Sequence, residues 1–254
     1  NGFAGLLKGN SASLQRELKL QDFSSFYSYG GSFIGNSRVK LTNIPDCIDK
    51  GLVEGGEIPL EIAANQLIKD KIDILFTIGG DDTNTTARDL QNYIQSKTIE
   101  ITVVGIPKTI DNDIYPVKRS LGAYTAASQG AKFFENIVSE NYMGERHLIV
   151  HEVMGRNSGW LTASTAREYY KNLDNKSYDI PKVIDRRRYH LHGIYVPERK
   201  IDINTEIRRL SKMIDQVQCL NLFVCEGAFL DEISEETVNA GSSIETDAFG
   251  HAKL

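Results

Sequence analysis

IDILFTIGGDDTNTTA, residues 72–87, is the stretch that decides the fold class of this 254-residue chain. An apolar run of strand type at 72–78 ends in a polar cluster that leads directly into a helical pattern. The run ITVVGI at 101–106 repeats this arrangement, because the polar segment PKTIDNDI follows it at 107–114. In open α/β sheets, ligands bind at the carboxyl ends of parallel strands. We therefore expect both polar clusters to lie at such strand ends.

The rest of the chain continues the alternation of strand and helix patterns. The apolar periodicity predicts, in order, a helix at 59–70, the strand at 72–78, a helix near 83–96, the strand at 101–106, a long helix near 121–141, a strand at 147–153, a helix near 157–170, a strand at 193–198, a helix near 204–217 and a strand at 221–226. Repeated βα units favour an α/β fold with parallel sheets.

The four residues after the first of these strands suit a phosphate chain. Gly79 and Gly80 have no side chains, so phosphates can approach the backbone at the start of a helix, whose N-terminus attracts anions. Asp81 and Asp82 add hard carboxylate oxygens at the same point. A carboxylate beside phosphates is typical of a bridging magnesium ion, so we expect Mg2+ as a cofactor.

The second polar cluster combines groups that phosphoryl transfer requires. Asp111 and Asp113 supply two carboxylates, one of which can act as a base. Lys108 and Thr109 supply a cation and a hydroxyl in the same loop. Together these groups suit attack of a sugar hydroxyl on phosphorus.

Each cluster taken alone has a simpler interpretation. GGDD at 79–82 can be a strand-to-helix turn with an Asp cap. DND at 111–113 can be an Asx-rich turn, or part of a calcium loop, although it lacks the spaced ligands and the terminal Glu of a twelve-residue calcium site. It is the combination of clusters that favours a catalytic interpretation.

In combination the segments resemble the phosphofructokinases, and specifically their pyrophosphate-dependent branch. GGDDTNT resembles the donor-site motif of that family, and PKTIDND resembles its catalytic loop. Three further segments match: GGSFIGNSR at 30–38 the upstream glycine-rich loop, EVMGRNSGWLTA at 152–163 the sugar-phosphate motif, and FVCEGA at 223–228 the sugar-binding strand end. The matches follow the family's order over most of the chain.

The resemblance implies two doubly wound α/β lobes with the substrate cleft between them. Residues 1–120 would form the phosphoryl-donor lobe, and residues 121–254 would form the fructose 6-phosphate lobe, with an approximate boundary. The first strand and its phosphate loop, and a basic motif that follows in the family, have no counterpart in these residues. We therefore expect the sequence to be the interior of a larger polypeptide.

The implied reaction is the reversible, magnesium-dependent transfer of phosphate from pyrophosphate to the C1 hydroxyl of fructose 6-phosphate, a step of glycolysis and gluconeogenesis. Asp111 would take the proton of that hydroxyl. The resemblance assigns the remaining roles as follows: magnesium binding to Asp81, framing of the hydroxyl to Thr109 and Asp113, sugar-phosphate binding to Met154, Gly155 and Arg156, acceptance of sugar-hydroxyl hydrogen bonds to Glu226, and donor binding to Gly79, Gly80 and Arg38.

Two positions assign the chain to the pyrophosphate-dependent branch, because ATP-dependent relatives generally carry Gly at both. The carboxylate of Asp82 would repel the α-phosphate of ATP, whereas pyrophosphate does not extend that far. The ammonium of Lys108 would stabilise the transition state and the leaving phosphate. We count both residues as catalytic.

The resemblance also implies a homo-oligomer, a dimer or a tetramer, with a site shared between subunits. Arg146 or His147 matches a position that contacts the sugar phosphate in a neighbouring subunit. We favour Arg146, because a guanidinium keeps its charge at any working pH. For His147 a structural role is the preferred interpretation.

Composition limits the partners and the compartment. With 41% hydrophobic and 25% charged residues and a net charge of −5, the chain is of the globular class, and we expect no nucleic acid partner. No apolar run reaches the ~18 residues of a membrane span, so we expect no membrane partner. Three cysteines without paired spacing indicate a reducing, cytoplasmic location. The basic run at 185–193 is interpreted as a solvated bend rather than a binding patch.

Three other functions remain as alternatives. The first is an ATP-dependent 6-phosphofructokinase. The second is a non-catalytic subunit of the same fold, which would tolerate loss of the base or of the metal ligand. The third is a lipid or nicotinamide-nucleotide kinase with a GGDG-like loop, which should lack PKTIDND and MGR together.

Overall fold

The structure is a computed structural model that describes residues 1–9, 26, 30–176, 185–230, 232, 245–246 and 252–253. The chain divides into two compact units, Asn1–Pro107 and Lys108–Leu254. Both are built from helices and parallel strands, which confirms the predicted α/β class. The predicted functional boundary near residue 120 stays a prediction, because the two units are defined by packing and not by what each part binds.

The first unit packs helices against a pair of parallel strands. Its elements are α1 (Gly2–Leu7), α2 (Ile44–Asp49), α3 (Pro59–Lys69), β1 (Ile74–Gly79), α4 (Asp81–Ser96) and the greater part of β2 (Thr102–Thr109). The strands run in register from Ile74 opposite Thr102 to Gly79 opposite Pro107. Leu67 of α3 and Leu90 of α4 are buried in the core. The strands and helices predicted between residues 59 and 106 are therefore confirmed.

The second unit contains a parallel three-stranded sheet in the order β4-β6-β5. Its elements are β3 (Leu121–Gly122), α5 (Ala123–Val138), β4 (His147–Val153), α6 (Trp160–Asp174), β5 (Gly193–Tyr195), α7 (Ile203–Val217) and β6 (Cys219–Cys225), with short 3-10 turns at Ser139–Tyr142 and Arg186–Tyr189. The last two residues of β2 pair with β3. Two short antiparallel strands, β7 (Glu245–Thr246) and β8 (Ala252–Lys253), complete the described part.

Aromatic rings from three elements form the core of this second unit. The ring of Phe134 on α5 meets the rings of Tyr169 on α6 and Phe223 on β6 edge-on, with centroids 4.9 and 4.7 Å apart. All three side chains are buried. Edge-to-face pairs contribute about 0.5–1.5 kcal/mol beyond the burial of their surface. The packing holds α5 and α6 on one face of the sheet, which fixes where the loops after β4 and β6 emerge.

The structure refines two details of the sequence analysis. The long helix predicted near 121–141 is confirmed as α5 (Ala123–Val138), and it follows β3, in which Gly122 takes a left-handed φ of 97°. The basic run at 185–193 is not simply solvated. Arg188 in that run is half-buried and donates to the main-chain carbonyl of Gly144 at 2.7 Å.

Candidate active site

The turn between β1 and α4 in the first unit is fixed at the level of the backbone. The side-chain amide of Asn84 donates to the carbonyls of Gly79 (2.9 Å) and Gly80 (2.8 Å). A Cβ on Gly79 would lie 2.3 Å from the hydroxyl of Thr83, so a larger residue does not fit there. Gly80 then serves as the N-cap of α4 without any side-chain capping bond. The helix therefore starts with its first amides uncapped by side chains.

Both acidic residues of this turn lie on the surface of the first unit. Asp81 and Asp82 are exposed in the first turn of α4, where the helix dipole favours negative charge. Asp82 forms an ion pair with Lys40 at 3.5 Å, a partner that the sequence analysis missed. Arg38 is also exposed and lies on the same segment as Lys40. These carboxylates and cations are accessible to a charged ligand.

The loop after β2, in the second unit, folds around Asp111. The hydroxyl of Thr109 donates to Oδ2 of Asp111 at 3.2 Å, and the amide of Asp111 donates back to Oγ1 of Thr109 at 3.1 Å. Thr109 is buried and Asp111 is half-buried, whereas Lys108 and Asp113 are exposed. The paired bonds fix the direction of one carboxylate in a loop that otherwise presents charges to solvent.

Asn112 closes this loop in a left-handed conformation. Its φ is 52°, which Asn tolerates better than most residues. Its side-chain oxygen Oδ1 accepts a hydrogen bond from the main-chain amide of Ser120 at 2.8 Å, and its side-chain Nδ2 donates to the main-chain carbonyl of Lys118 at 3.2 Å. The buried hydroxyl of Ser120 donates to the carbonyl of Thr109 at 2.6 Å. The loop therefore returns to its own start, and the bonds of Asn112 explain why Asn lies between the two Asp residues.

The environment of Asp111 favours its protonated form. Burial raises the pKa of Asp111, and the charges of Asp113 and Glu226 raise that pKa further. The Thr109 hydroxyl and the Lys108 ammonium act in the opposite direction and lower the pKa. A carboxylate with a raised pKa is a stronger base when it is ionised, which is the property that proton abstraction from an alcohol requires.

Glu226 organises the loop that follows β4. Its Oε1 accepts the amide of Arg156 at 2.8 Å and the amide of Gly155 at 3.3 Å, although it lies at the end of β6. A Cβ on Gly227 would lie 1.4 Å from the carbonyl oxygen of Arg156, so only glycine fits. Gly155 itself has a φ of 135°, and a Cβ there would lie 2.3 Å from the carbonyl oxygen of Ser158. The backbone of Gly227 thus packs directly against the backbone of Arg156.

The predicted sugar-phosphate residues do not all lie together. Met154, Gly155 and Arg156 follow the carboxyl end of β4, and the side chain of Met154 is 59% exposed. Arg146 precedes the amino end of the same strand, which spans about 20 Å at the usual rise per residue. There it forms an ion pair with Asp215. Within one chain, the structure places Arg146 at the far end of the strand from Arg156.

The three cysteines are buried, and the described residues contain neither a cluster of metal ligands nor a membrane-spanning helix. Cys47, Cys219 and Cys225 are buried free thiols, as predicted for Cys225 in its apolar strand. Among the described residues, no group of three or more His, Cys, Asp or Glu side chains could hold a metal ion. In the same part of the chain, no helix has the length and apolar character needed to cross a membrane.

Comparison with known proteins identifies the family. The family model described as phosphofructokinase matches residues 1–254. The chain belongs to the phosphofructokinase family. A protein of Methylotuvimicrobium alcaliphilum named "Pyrophosphate--fructose 6-phosphate 1-phosphotransferase" is 51% identical over 255 residues. A protein of the same name from Methylomonas methanica is 51% identical over 254 residues. Each match covers 100% of this chain and 62% of the relative.

Solved structures agree with this family on the fold. The crystal structure of a pyrophosphate-dependent phosphofructokinase from Marinobacter aquaeolei superposes with a TM-score of 0.63 over 99% of this chain and 56% of that chain. The sequence identity is 21%, so this similarity supports the phosphofructokinase fold alone. The chain thus spans less than two thirds of the relatives that it matches.

Three residues of the candidate site were missed from the sequence: Lys40, Ser120 and Ser158. Lys40 pairs with Asp82, and the two serines donate to the main-chain carbonyls of Thr109 and Asp111. Serines that bond to main-chain carbonyls follow no motif of their own. For Ser158 the resemblance to the phosphofructokinase motif at 152–163 marked the segment but not the residue.

Proposed function

We propose that the protein containing this chain transfers phosphate reversibly from pyrophosphate to the C1 hydroxyl of fructose 6-phosphate, giving fructose 1,6-bisphosphate and phosphate. The observation that carries the proposal is the half-buried Asp111, held by Thr109 in a loop closed by Asn112, with a pKa raised by burial. Relatives that are 51% identical and bear the corresponding name support the same reaction.

In this proposal Asp111 accepts the proton of the C1 hydroxyl as that oxygen attacks phosphorus. Thr109 keeps the carboxylate oriented through its 3.2 Å hydrogen bond, and exposed Asp113 is available to the sugar. Lys108 is exposed in the same loop as Asp111, and its positive charge stabilises the phosphoryl group during transfer. Met154, Gly155 and Arg156 bind the sugar phosphate, on a loop that Glu226 holds in shape.

The proposed donor is pyrophosphate because of charge. Asp82 is exposed in the first turn of α4, where its side chain pairs with Lys40. A carboxylate there disfavours a third phosphate, whereas the uncapped amides beside Gly79 and Gly80 favour the two phosphates of the shorter donor. Arg38, on the same segment as Lys40, offsets part of the donor's charge.

The residues of the turn fit Mg2+ that arrives with the donor. Mg2+ is usually held by one or two carboxylates together with substrate phosphates and waters, rather than by a cage of protein ligands. The exposed carboxylates of Asp81 and Asp82 meet that requirement, and we propose Asp81 as the ligand. When bound, the ion would neutralise charge on the phosphates and polarise them.

We further propose a cytoplasmic homo-oligomer, a dimer or a tetramer, in which Arg146 reaches the sugar phosphate of a neighbouring subunit. The position of Arg146 at the amino end of β4, away from Arg156, supports a role outside its own subunit's sugar site. The buried free thiols are consistent with a reducing compartment.

The decisive measurement is the initial rate of the complete protein with pyrophosphate and with ATP at matched free magnesium. We expect kcat/KM for pyrophosphate to exceed that for ATP by at least about 100-fold, because the Asp82 and Lys108 side chains both act on donor choice. A preference for ATP would overturn the donor assignment and favour an ATP-dependent 6-phosphofructokinase. No turnover with either donor would favour a non-catalytic subunit.

A further inference from the structure

The side chain of Ser158 joins the loop of Asp111 to the loop of Gly155 and Arg156 within the second unit. The hydroxyl of Ser158 donates to the main-chain carbonyl of Asp111 at 3.1 Å, across 47 residues of sequence. The same oxygen accepts the amide of Trp160, at the start of α6, at 3.4 Å. Ser158 is half-buried, so water competes only partly for these bonds.

The other side of this connection is rigid. The amide of Ser158 donates to the carbonyl of Gly155 at 2.6 Å, closing a tight turn. The buried thiol of Cys225 donates to that same carbonyl at 3.4 Å. Glu226 accepts the amides of Gly155 and Arg156. A displacement of Ser158 therefore requires the displacement of a turn that β6 also holds.

The bonded carbonyl lies at a sensitive point of the catalytic loop. The peptide between Asp111 and Asn112 is planar, so holding its oxygen fixes the direction in which the chain leaves Asp111. Asn112 then takes its left-handed φ of 52°. With the Thr109 bond on the side chain and the Ser158 bond on the main chain, Asp111 is held from two sides.

We propose that Ser158 is a positioning residue: its hydroxyl holds the base Asp111 in register with the loop of Gly155 and Arg156 that binds the sugar phosphate. This inference rests on the proposed function. Its kinetic signature follows from the geometry, because the sugar-phosphate loop stays held by Glu226 when the Ser158 bond is lost. Binding should persist while the alignment of base and hydroxyl suffers.

The test uses the complete protein with Ser158→Ala, Ser158→Thr and Ser139→Ala. Ser158→Ala removes the bond, and Ser158→Thr retains a hydroxyl. Ser139→Ala is the matched control, because the hydroxyl of Ser139 also donates to a main-chain carbonyl, that of Glu135, at 3.1 Å, but within one helix end. The measurements are kcat and KM for fructose 6-phosphate, and amide hydrogen exchange over residues 108–114 and 203–217.

We expect Ser158→Ala to lower kcat by about 10- to 100-fold with KM changed less than about threefold, since a displacement of about 1 Å can cost that much. Exchange over residues 108–114 should rise, whereas exchange over α7 (203–217) should not. Ser158→Thr should recover most of kcat, and Ser139→Ala should match the parent protein in both measurements.

A second kinetic readout separates positioning from a merely structural role. A looser loop would hydrate the Asp111 carboxylate, so its raised pKa should fall and the acid limb of kcat/KM should move to lower pH. The charged groups that face it, Asp113, Glu226 and Lys108, are the same in the variant. Ser139→Ala should leave the limb in place.

The outcomes distinguish this inference from the proposed function. If the parent protein turns over neither donor, the proposed function fails. If the parent is active and Ser158→Ala keeps kcat within twofold, the inference alone fails, even when exchange over 108–114 rises. If Ser158→Ala lowers kcat and Ser158→Thr does not restore it, loss of packing rather than of the hydroxyl is responsible, which also overturns the inference.

Discussion

The turn after β1 and the loop after β2 carry similar polar residues but hold them in opposite ways. In the turn, the backbone is locked by Asn84, whereas the carboxylates of Asp81 and Asp82 remain exposed. In the loop, the side chains themselves are tied down: Asp111 bonds to Thr109, and Asn112 bonds to the chain near Ser120. The difference fits the proposed chemistry, because a base needs a fixed direction and a raised pKa, whereas ligands for phosphates and a cation need to be accessible.

Mutations in the turn after β1 and in the loop after β2 should therefore differ in their effects on stability. The exposed ion pair of Asp82 with Lys40 contributes only about 0–1 kcal/mol, so replacing Asp82 should alter ligand choice with little cost to the fold. Removing a group from the loop leaves half-buried partners unsatisfied, at about 1–3 kcal/mol each. Changes in the loop should therefore affect rate and stability together, unless the substitution keeps the bonds.

Asp111→Asn is the substitution that keeps those bonds and removes the proposed base. Asn retains an oxygen that can accept the Thr109 hydroxyl, so the loop should keep its shape. We expect kcat to fall by about 100- to 10,000-fold with little change in the affinity for fructose 6-phosphate. Steady-state kinetics together with binding of the sugar phosphate alone provide the check. Asp73→Asn, which changes an exposed carboxylate between α3 and β1, is the control.

A retained rate would remove Asp111 from the mechanism. If kcat of Asp111→Asn stays within tenfold of the parent, another group is the base. The pH dependence of the parent protein offers an independent check. Because burial raises the pKa of Asp111 and the base must be ionised, the acid limb of kcat/KM should lie above the pH of about 4 expected for an ordinary Asp. A limb at or below that pH would contradict the assignment.

Much of this contrast could be predicted from the sequence, because it depends on local patterns. The apolar runs at 72–78 and 101–106 are strands, and the polar clusters follow them as expected. The helix predicted near 83–96 is confirmed as α4 (Asp81–Ser96). It was predictable because Asp residues at its N-terminus and the apolar periodicity along it both indicate a helix. These features depend on residues that are neighbours in the chain, so single-sequence reasoning can reach them.

What could not be predicted depends on residues that are distant in the chain. Ser158 meets the Asp111 carbonyl across 47 residues, and Glu226 meets the Arg156 amide across 70. The resemblance assigned Glu226 to sugar hydroxyls, and only the structure shows that its carboxylate also holds a loop. Lys40 was missed because a half-buried lysine has no sequence signature until its partner is placed.

Asp82→Gly tests the turn after β1, because it should change the choice of phosphoryl donor without disturbing the turn. Loss of the carboxylate removes the repulsion of a third phosphate, so use of ATP should rise and use of pyrophosphate should fall. We expect the ratio of the two kcat/KM values to shift by about 10- to 100-fold, and further in the double variant with Lys108→Gly. Rates with both donors for the two single variants and the double variant measure the coupling.

Lys40→Ala is the matched control for this donor prediction. It removes the partner of Asp82 at 3.5 Å and leaves the carboxylate in place. If the charge of Asp82 itself excludes ATP, the Lys40 variant should still reject ATP. Unchanged kcat/KM values for both donors in Asp82→Gly would show that Asp82 does not contact the donor.

Glu226→Gln should have the smallest effect, because Gln keeps an oxygen for the amides of Gly155 and Arg156 while it loses the charge. We expect KM for fructose 6-phosphate to rise by about 3- to 10-fold with kcat nearly unchanged, since a charged acceptor for hydroxyls becomes a neutral one. The charge of Glu226 also raises the pKa of Asp111, so the acid limb of kcat/KM should move to lower pH. Glu226→Ala frees both amides and should lower kcat as well, because the loop that carries Arg156 loses its shape. Equal kinetics for the Gln and Ala variants would show that Glu226 acts through its charge alone and that the loop does not depend on it.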